Sequence, residues 1–253
     1  MMLVVYDGSF EGFLSAVFDI YEYKFSDATF TTEDNYQKNI FGSVHETNTT
    51  AEKTKRVYKG LEQRLSKNAL SQLYKTFLSE IKNIENVLLQ YIRYAFTSRT
   101  VMEYDYSNAA VLTVQQTSRI VHREKHRMEA FVRFQLTADE LYYAVIEPDF
   151  NVLPLIKNHF LTRYADQCWM IYDTRRKYGL YYDKETVVSI SMTFGDETAS
   201  GKNIRSIYNE KEELYQKLWR QYFSSVNIAA RKNMKLHIQH MPKRYWRYLT
   251  EKF

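Results

Sequence analysis

Close to residue 130 the apolar residues of this chain change their spacing from three or four to two, and this switch of period limits the fold more than any other feature. Upstream, Leu70, Leu73, Phe77, Ile81, Ile84, Leu88 and Ile92 recur at helical intervals, so the stretch from about Thr50 to Phe96 predicts two or three packed helices. Asn108 to Met128 predicts a further helix, with Val111, Val114, Val121 and Met128 on one side and Arg119, Arg123 and Arg127 on another. Downstream, Val132, Phe134 and Leu136 alternate with Arg133 and Gln135, and Leu141 to Ile146 follows a short polar turn, which reads as an antiparallel hairpin. Trp169 to Asp173, Leu180 to Asp183 and the alternation of Val188, Ile190 and Met192 extend it into a meander. Pro154 to Tyr164 and the amphipathic Ile204 to Val226 supply helices on one face.

At the N-terminus Met2 to Tyr6 reads as a strand, Asp7 to Ser9 as a turn, and Gly12 to Tyr21 as a helix that Ser9 would cap; a polar region follows. The expected class is α+β, a helical N-terminal half packed with a mostly antiparallel sheet and flanking helices in the C-terminal half. Three prolines and seven glycines spread over 253 residues mark no linker. A single domain over 1–253 is therefore expected, with possible subdomains at 1–105 and 106–253.

Cys168 is the only cysteine, which excludes an internal disulfide and any cluster or structural zinc held by several cysteines of this chain, and suits a reducing cytoplasm. The opening apolar run is cut off by Asp7, and no segment approaches the ~20 apolar residues of a membrane span, so export and membrane insertion are not expected. A Walker A loop, a dinucleotide-binding glycine fingerprint and the metalloprotease helix motif are all missing. No cofactor is called for.

Charge is distributed unevenly. The net charge of the chain is +5, yet Arg231 to Phe253 alone contributes +6, beside Tyr245, Trp246 and Tyr248. A local basic cluster with interleaved rings can neutralise phosphates and stack on bases, although a solvated terminal helix with rings packed inward would suit the same residues. Arg175, Arg176 and Lys177 between two aromatic strands read as a basic hairpin tip, with Gly179 easing the bend. The tip could grip a phosphate backbone or simply be solvated.

The Asp7, Gly8, Ser9 and Gly12 turn could offer amides to a phosphate, or serve only to turn the chain. His122 and His126 stand four apart on a helix but lack a third ligand and lie among cations, so no metal site is expected. Glu147, Asp149, Asp173 and Asp183 fall near strand ends, where carboxylates could gather around magnesium; Pro148-Asp149 with Asp173-Thr174-Arg175 resembles a nuclease pattern, but Arg175 replaces its lysine. Turns and ion pairs account for the same acids.

Taken together, YDGSFEGFLSAVFDIYE, REKHRMEAFVRF, IYDTRRKYGLYYD and MPKRYWRYLTE resemble a bacterial family described as probable DNA-metabolism proteins, built on a domain of unknown function. The resemblance implies a setting in DNA repair, where this domain stands alone or is fused to a uracil-DNA-glycosylase-like domain and accompanies a radical S-adenosylmethionine protein. No glycosylase segment and no Cys-x-x-x-Cys-x-x-Cys motif is present, so the chain resembles the standalone form, and the family carries over no catalytic residues.

The leading expectation is an accessory protein that binds DNA, a repair enzyme or both. Its candidate contacts are Arg119, Arg123, Arg127, Arg133, Arg175, Arg176, Lys243, Arg244, Tyr245, Trp246 and Arg247. Two alternatives stand beside it: a DNA-acting hydrolase or glycosylase-like enzyme using Glu124, Glu147, Asp149 or Asp173, and a protein-only adaptor for a radical S-adenosylmethionine partner. Oligomeric state is not legible.

Overall fold

The computed structural model describes residues 2–36, 43–98, 100–138, 140–191, 238–249 and 252. The protein is α+β, and it divides into two compact units, Met1–His122 and Arg123–Phe253. The expected helix from Ile204 to Val226 lies outside the described residues.

In the N-terminal unit β1 (Met2–Tyr6) is followed by α1 (Phe10–Glu22), β2 (Ala28–Thr32) and β3 (Ser43–Glu46). Both short strands pair in parallel with β1, in the order β2-β1-β3. The polar region after α1 therefore holds two strands that the sequence reading missed, because the threonine-rich β2 and the short, polar β3 show no clean apolar alternation. Gly8 takes φ 80° in the β1–α1 turn, and Ser9 Oγ accepts from Gly12 N at 2.8 Å, the cap expected from the sequence. Three helices, α2 (Ala51–Glu62), α3 (Lys67–Phe77) and α4 (Ile84–Thr97), realise the helical periodicity. Phe13, Leu14, Leu61, Leu73, Leu88 and Ile92 meet in their apolar core.

Helix α5 (Ala109–Phe131) contains the division between the units. Asn108 Oδ1 accepts from Ala110 N and Val111 N at 2.9 and 3.3 Å, which fixes the helix start.

The C-terminal unit carries a five-stranded sheet in chain order, β4 (Gln135–Leu136), β5 (Tyr142–Ile146), β6 (Trp169–Asp173), β7 (Tyr178–Tyr182) and β8 (Val187–Ser191). The expected β4–β5 hairpin is present, but shorter than the alternation implied. The expected meander is corrected at one joint: β5 and β6 run parallel, because α6 (Leu153–Arg163) lies between them in sequence and returns the chain to the starting edge. The other pairings are antiparallel. Trp169, Phe160 and Phe134 form an aromatic core with ring centroids 5.6 to 6.4 Å apart. Gly179 does not ease the hairpin bend, since Lys177 takes the positive φ there; a Cβ at Gly179 would instead lie 2.7 Å from Ile171 O on the neighbouring strand. Among the described residues no helix is long and apolar enough to cross a membrane.

Candidate functional site

Parallel pairing brings the C-terminal ends of β5 and β6 side by side, so the loops carrying Glu147–Asp149 and Asp173–Arg176 become neighbours. Glu124 of α5 and a terminal 3-10 helix, Lys243–Tyr248, complete the cluster. Along α5, Val114, Thr117, Val121, Glu124 and Met128 succeed one another at intervals of three and four, and all are buried. Glu124 thus stands in the core-facing stripe, 1% exposed, where an unpaired carboxylate would be prohibitively costly.

Its four partners meet that cost. Tyr245 donates its phenol hydrogen to Glu124 Oε1, and Asp149 N–H donates to the same oxygen at 3.0 Å. Arg244 Nη2 and Arg127 Nη1 lie 3.3 and 3.4 Å from Oε2. The Arg244 nitrogen also meets Asp149 Oδ2 at 2.6 Å, so one guanidinium spans two acids, and its carbon lies 4.5 Å from the Tyr245 ring centroid. Tyr245 is 2% exposed; burial first, then the Glu124 carboxylate, push its phenol well above the usual range against the pull of Arg244.

The neighbouring acids are held in the same manner. Arg247 pairs with Glu147, which also accepts from Tyr248 Oη at 2.7 Å and Thr174 Oγ1 at 3.3 Å. Burial and the bond to Glu147 push the Tyr248 phenol up to about 12. Asp173 is fully buried, accepts from Arg175 N and Arg176 N, and pairs with Arg176 Nη1 at 2.9 Å. Burial raises its carboxyl above the ordinary value, and Arg176 offsets only part of this. Arg176 reaches Pro148 O and Asp149 O as well, and Arg175 Nη1 donates to Asp149 O at 3.1 Å.

Four of the acids considered from sequence, Glu124, Glu147, Asp149 and Asp173, therefore gather in one place, while Asp183 caps its own turn through Glu185 N and Thr186 N. Such a gathering is what the hydrolase alternative requires. Here, however, the acids face arginines and phenols, and the crevice lined by Met128, Phe131, Glu147, Tyr245 and Tyr248 has room for about one water. Among the described residues no three His, Cys, Asp or Glu side chains could hold a metal ion.

Of the eleven residues named as nucleic-acid contacts, Arg127, Arg175, Arg176, Arg244, Tyr245 and Arg247 are engaged inside this cluster. Arg133 donates to Ala130 O and Val132 O at the end of α5. Arg119 and Arg123 are exposed on α5 without an ion pair among the described residues, as is Lys243 on the 3-10 helix. Lys243 and Lys252 place their ammonium groups 6.0 and 4.9 Å from the Trp246 ring centroid, and Trp246 Nε1 donates to Met241 O at 3.0 Å.

The role of Glu124 was missed from sequence, although a lone acid at a core position of the α5 stripe was visible there. The turn at Asp7 also resolves: its carboxylate occupies the start of α1, accepting from Ser9 N, Ser9 Oγ and Thr49 Oγ1 at 2.7 to 2.8 Å. A protein anion thus stands where a phosphate was considered. Residues 82–251 match the family model described as a domain of unknown function, DUF4130. The comparison with curated proteins gives no match.

Proposed function

The chain belongs to the DUF4130 family, a domain of unknown function; we propose that it is a DNA-metabolism accessory protein, in the repair setting that the resemblance above implies, and that it meets nucleic acid, a repair enzyme or both through the surface around Trp246. A uracil-DNA-glycosylase-like enzyme or a radical S-adenosylmethionine protein is the partner this reading expects, in a reducing cytoplasm.

One observation carries the reading. Within the Lys243–Tyr248 turn the side chains divide their work: Arg244, Tyr245 and Arg247 turn to the acids of the same unit, while Lys243 stays exposed beside the half-buried Trp246 ring, with Lys252 also over the ring. Lysines around an anchored indole supply phosphate neutralisation and a stacking face together. Arg244 and Arg247, already paired, add little net field. The burial of Glu124 argues against hydrolytic chemistry there, since a substrate would have to displace Arg244 and Tyr245 to reach it.

The test is a salt titration of labelled single-stranded and duplex DNA with wild type, Lys243→Ala/Lys252→Ala and Trp246→Ala. The double variant is expected to lower the slope of log K against log salt by about 1.4 on single strands and about 1.8 on duplex, and Trp246→Ala to weaken binding by about 1–3 kcal/mol at unchanged slope. An unchanged slope would remove this surface from the interface. No DNA binding at low salt would leave a protein-only adaptor, tested next against the repair-enzyme partner.

A further inference from the structure

The N-terminal unit carries an open groove of about 560 Å³ between the start of α1, the end of α2 and α3, within the range of roughly 300–1,000 Å³ that binding pockets span. Its floor is apolar: Leu61 and Leu73 are fully buried and Leu70 packs on the same core. Its walls are aromatic. Phe10 meets Tyr74 edge to face at 5.0 Å, and Tyr58 is 39% exposed, a large ring left in solvent on a helix that could have buried it.

The rim adds a sign. Glu11 and Glu62 are exposed and make no ion pair among the described residues. Glu62 is the last residue of α2, where a carboxylate faces the negative end of the helix dipole, and Lys59 in that turn makes no ion pair with it. Glu11 lies close enough to the opposite wall to help burial raise the Tyr74 phenol. Lys67 is the one cation lining the groove. Two unneutralised carboxylates beside aromatic rings form a lip that a cation would relieve, by charge and by its attraction to the ring faces.

We propose that this groove docks a basic amphipathic helix of a protein partner, its apolar side chains on Leu70 and the part-exposed rings of Phe10, Tyr58 and Tyr74 and its Lys or Arg residues over Glu11 and Glu62. An apolar floor between helices is the form of a helix-in-groove site, and the acidic lip selects the charge of the occupant. Nucleic acid is repelled by the same lip, so this surface is independent of the Trp246 reading.

The test uses two synthetic helical peptides with Leu at three-four spacing, one flanked by Lys and one by Glu, titrated calorimetrically against the full chain. Saturable binding of the Lys peptide only is expected, weakened about fivefold by Glu11→Gln/Glu62→Gln and about tenfold by Tyr58→Ala, with thermal melts confirming that both variants fold. Failure of the Lys peptide to bind, equal binding of both peptides, or binding unchanged in both variants would overturn the proposal. Wild-type self-association in sedimentation that is lost in the Glu11→Gln/Glu62→Gln variant would assign the groove to a second copy instead, and overturn it equally.

Discussion

The two units hold their strand-end carboxylates by different means. In the N-terminal unit Asp7, beyond β1, is held by an amide and two hydroxyls; in the C-terminal unit Glu147, Asp149 and Asp173, beyond β5 and β6, are held largely by guanidinium groups, with Glu124 among them. Neutral donors keep an exposed acid ionised at the helix start that its charge favours. A buried acid such as Glu124 needs full charges and phenols, since hydroxyls alone would not offset its desolvation. The comparison explains why Arg244 and Arg247 are not free basic surface: their charge answers acids within their own unit.

Removing Glu124 should break the contrast most sharply. Glu124→Ala leaves Tyr245, Arg244 and Arg127 without their shared acceptor and should cost about 3–5 kcal/mol in urea unfolding, whereas a cost under about 1 kcal/mol would mean the cluster is solvated. Gly179→Ala comes next, since its Cβ would meet backbone at 2.7 Å and should cost about 1–3 kcal/mol. Ser9→Ala, which removes one cap bond from α1 and one donor from Asp7, should cost about 1 kcal/mol by the same measurement.

The smallest effect has opposite signs in the two units. Partial burial pushes Asp7 up, but the bonds from Ser9 and Thr49 outweigh it and hold the carboxyl below its ordinary 3.8. Its stabilisation is present above that value and is lost as pH falls through the depressed one. Asp173 is raised, so its contribution is fully present below 3.8 and is lost as pH rises through the raised value. The stability difference between wild type and Asp7→Asn should therefore shrink on acidification, while that between wild type and Asp173→Asn should shrink on the way up. Parallel slopes for the two variants would erase the distinction.

Much of the scaffold was legible, and for local reasons. Ser9 as a cap, the helical spacing from Leu70 to Ile92 and the alternation through β8 are properties of neighbouring residues. The site was legible in part: a gathering of Asp149 and Asp173 was considered, but around magnesium, while Arg175 and Arg244 were named as surface cations rather than as partners of the acids. Their meeting depends on contacts such as Arg244 with Glu124, 120 positions apart.

By itself, then, the sequence determined the period and approximate place of most helices and of the C-terminal strands, the α+β class and the excess of charge near the C-terminus, because backbone propensity, capping and amphipathic spacing act within a few residues. Only the tertiary structure decided that β2 and β3 flank β1, that β5 and β6 run parallel, and that a core-stripe glutamate gathers the tail's arginine and tyrosine around it. Strand direction and ion-pair partners are set by which distant segments share a buried space, where an unpaired charge costs far more than any local preference supplies.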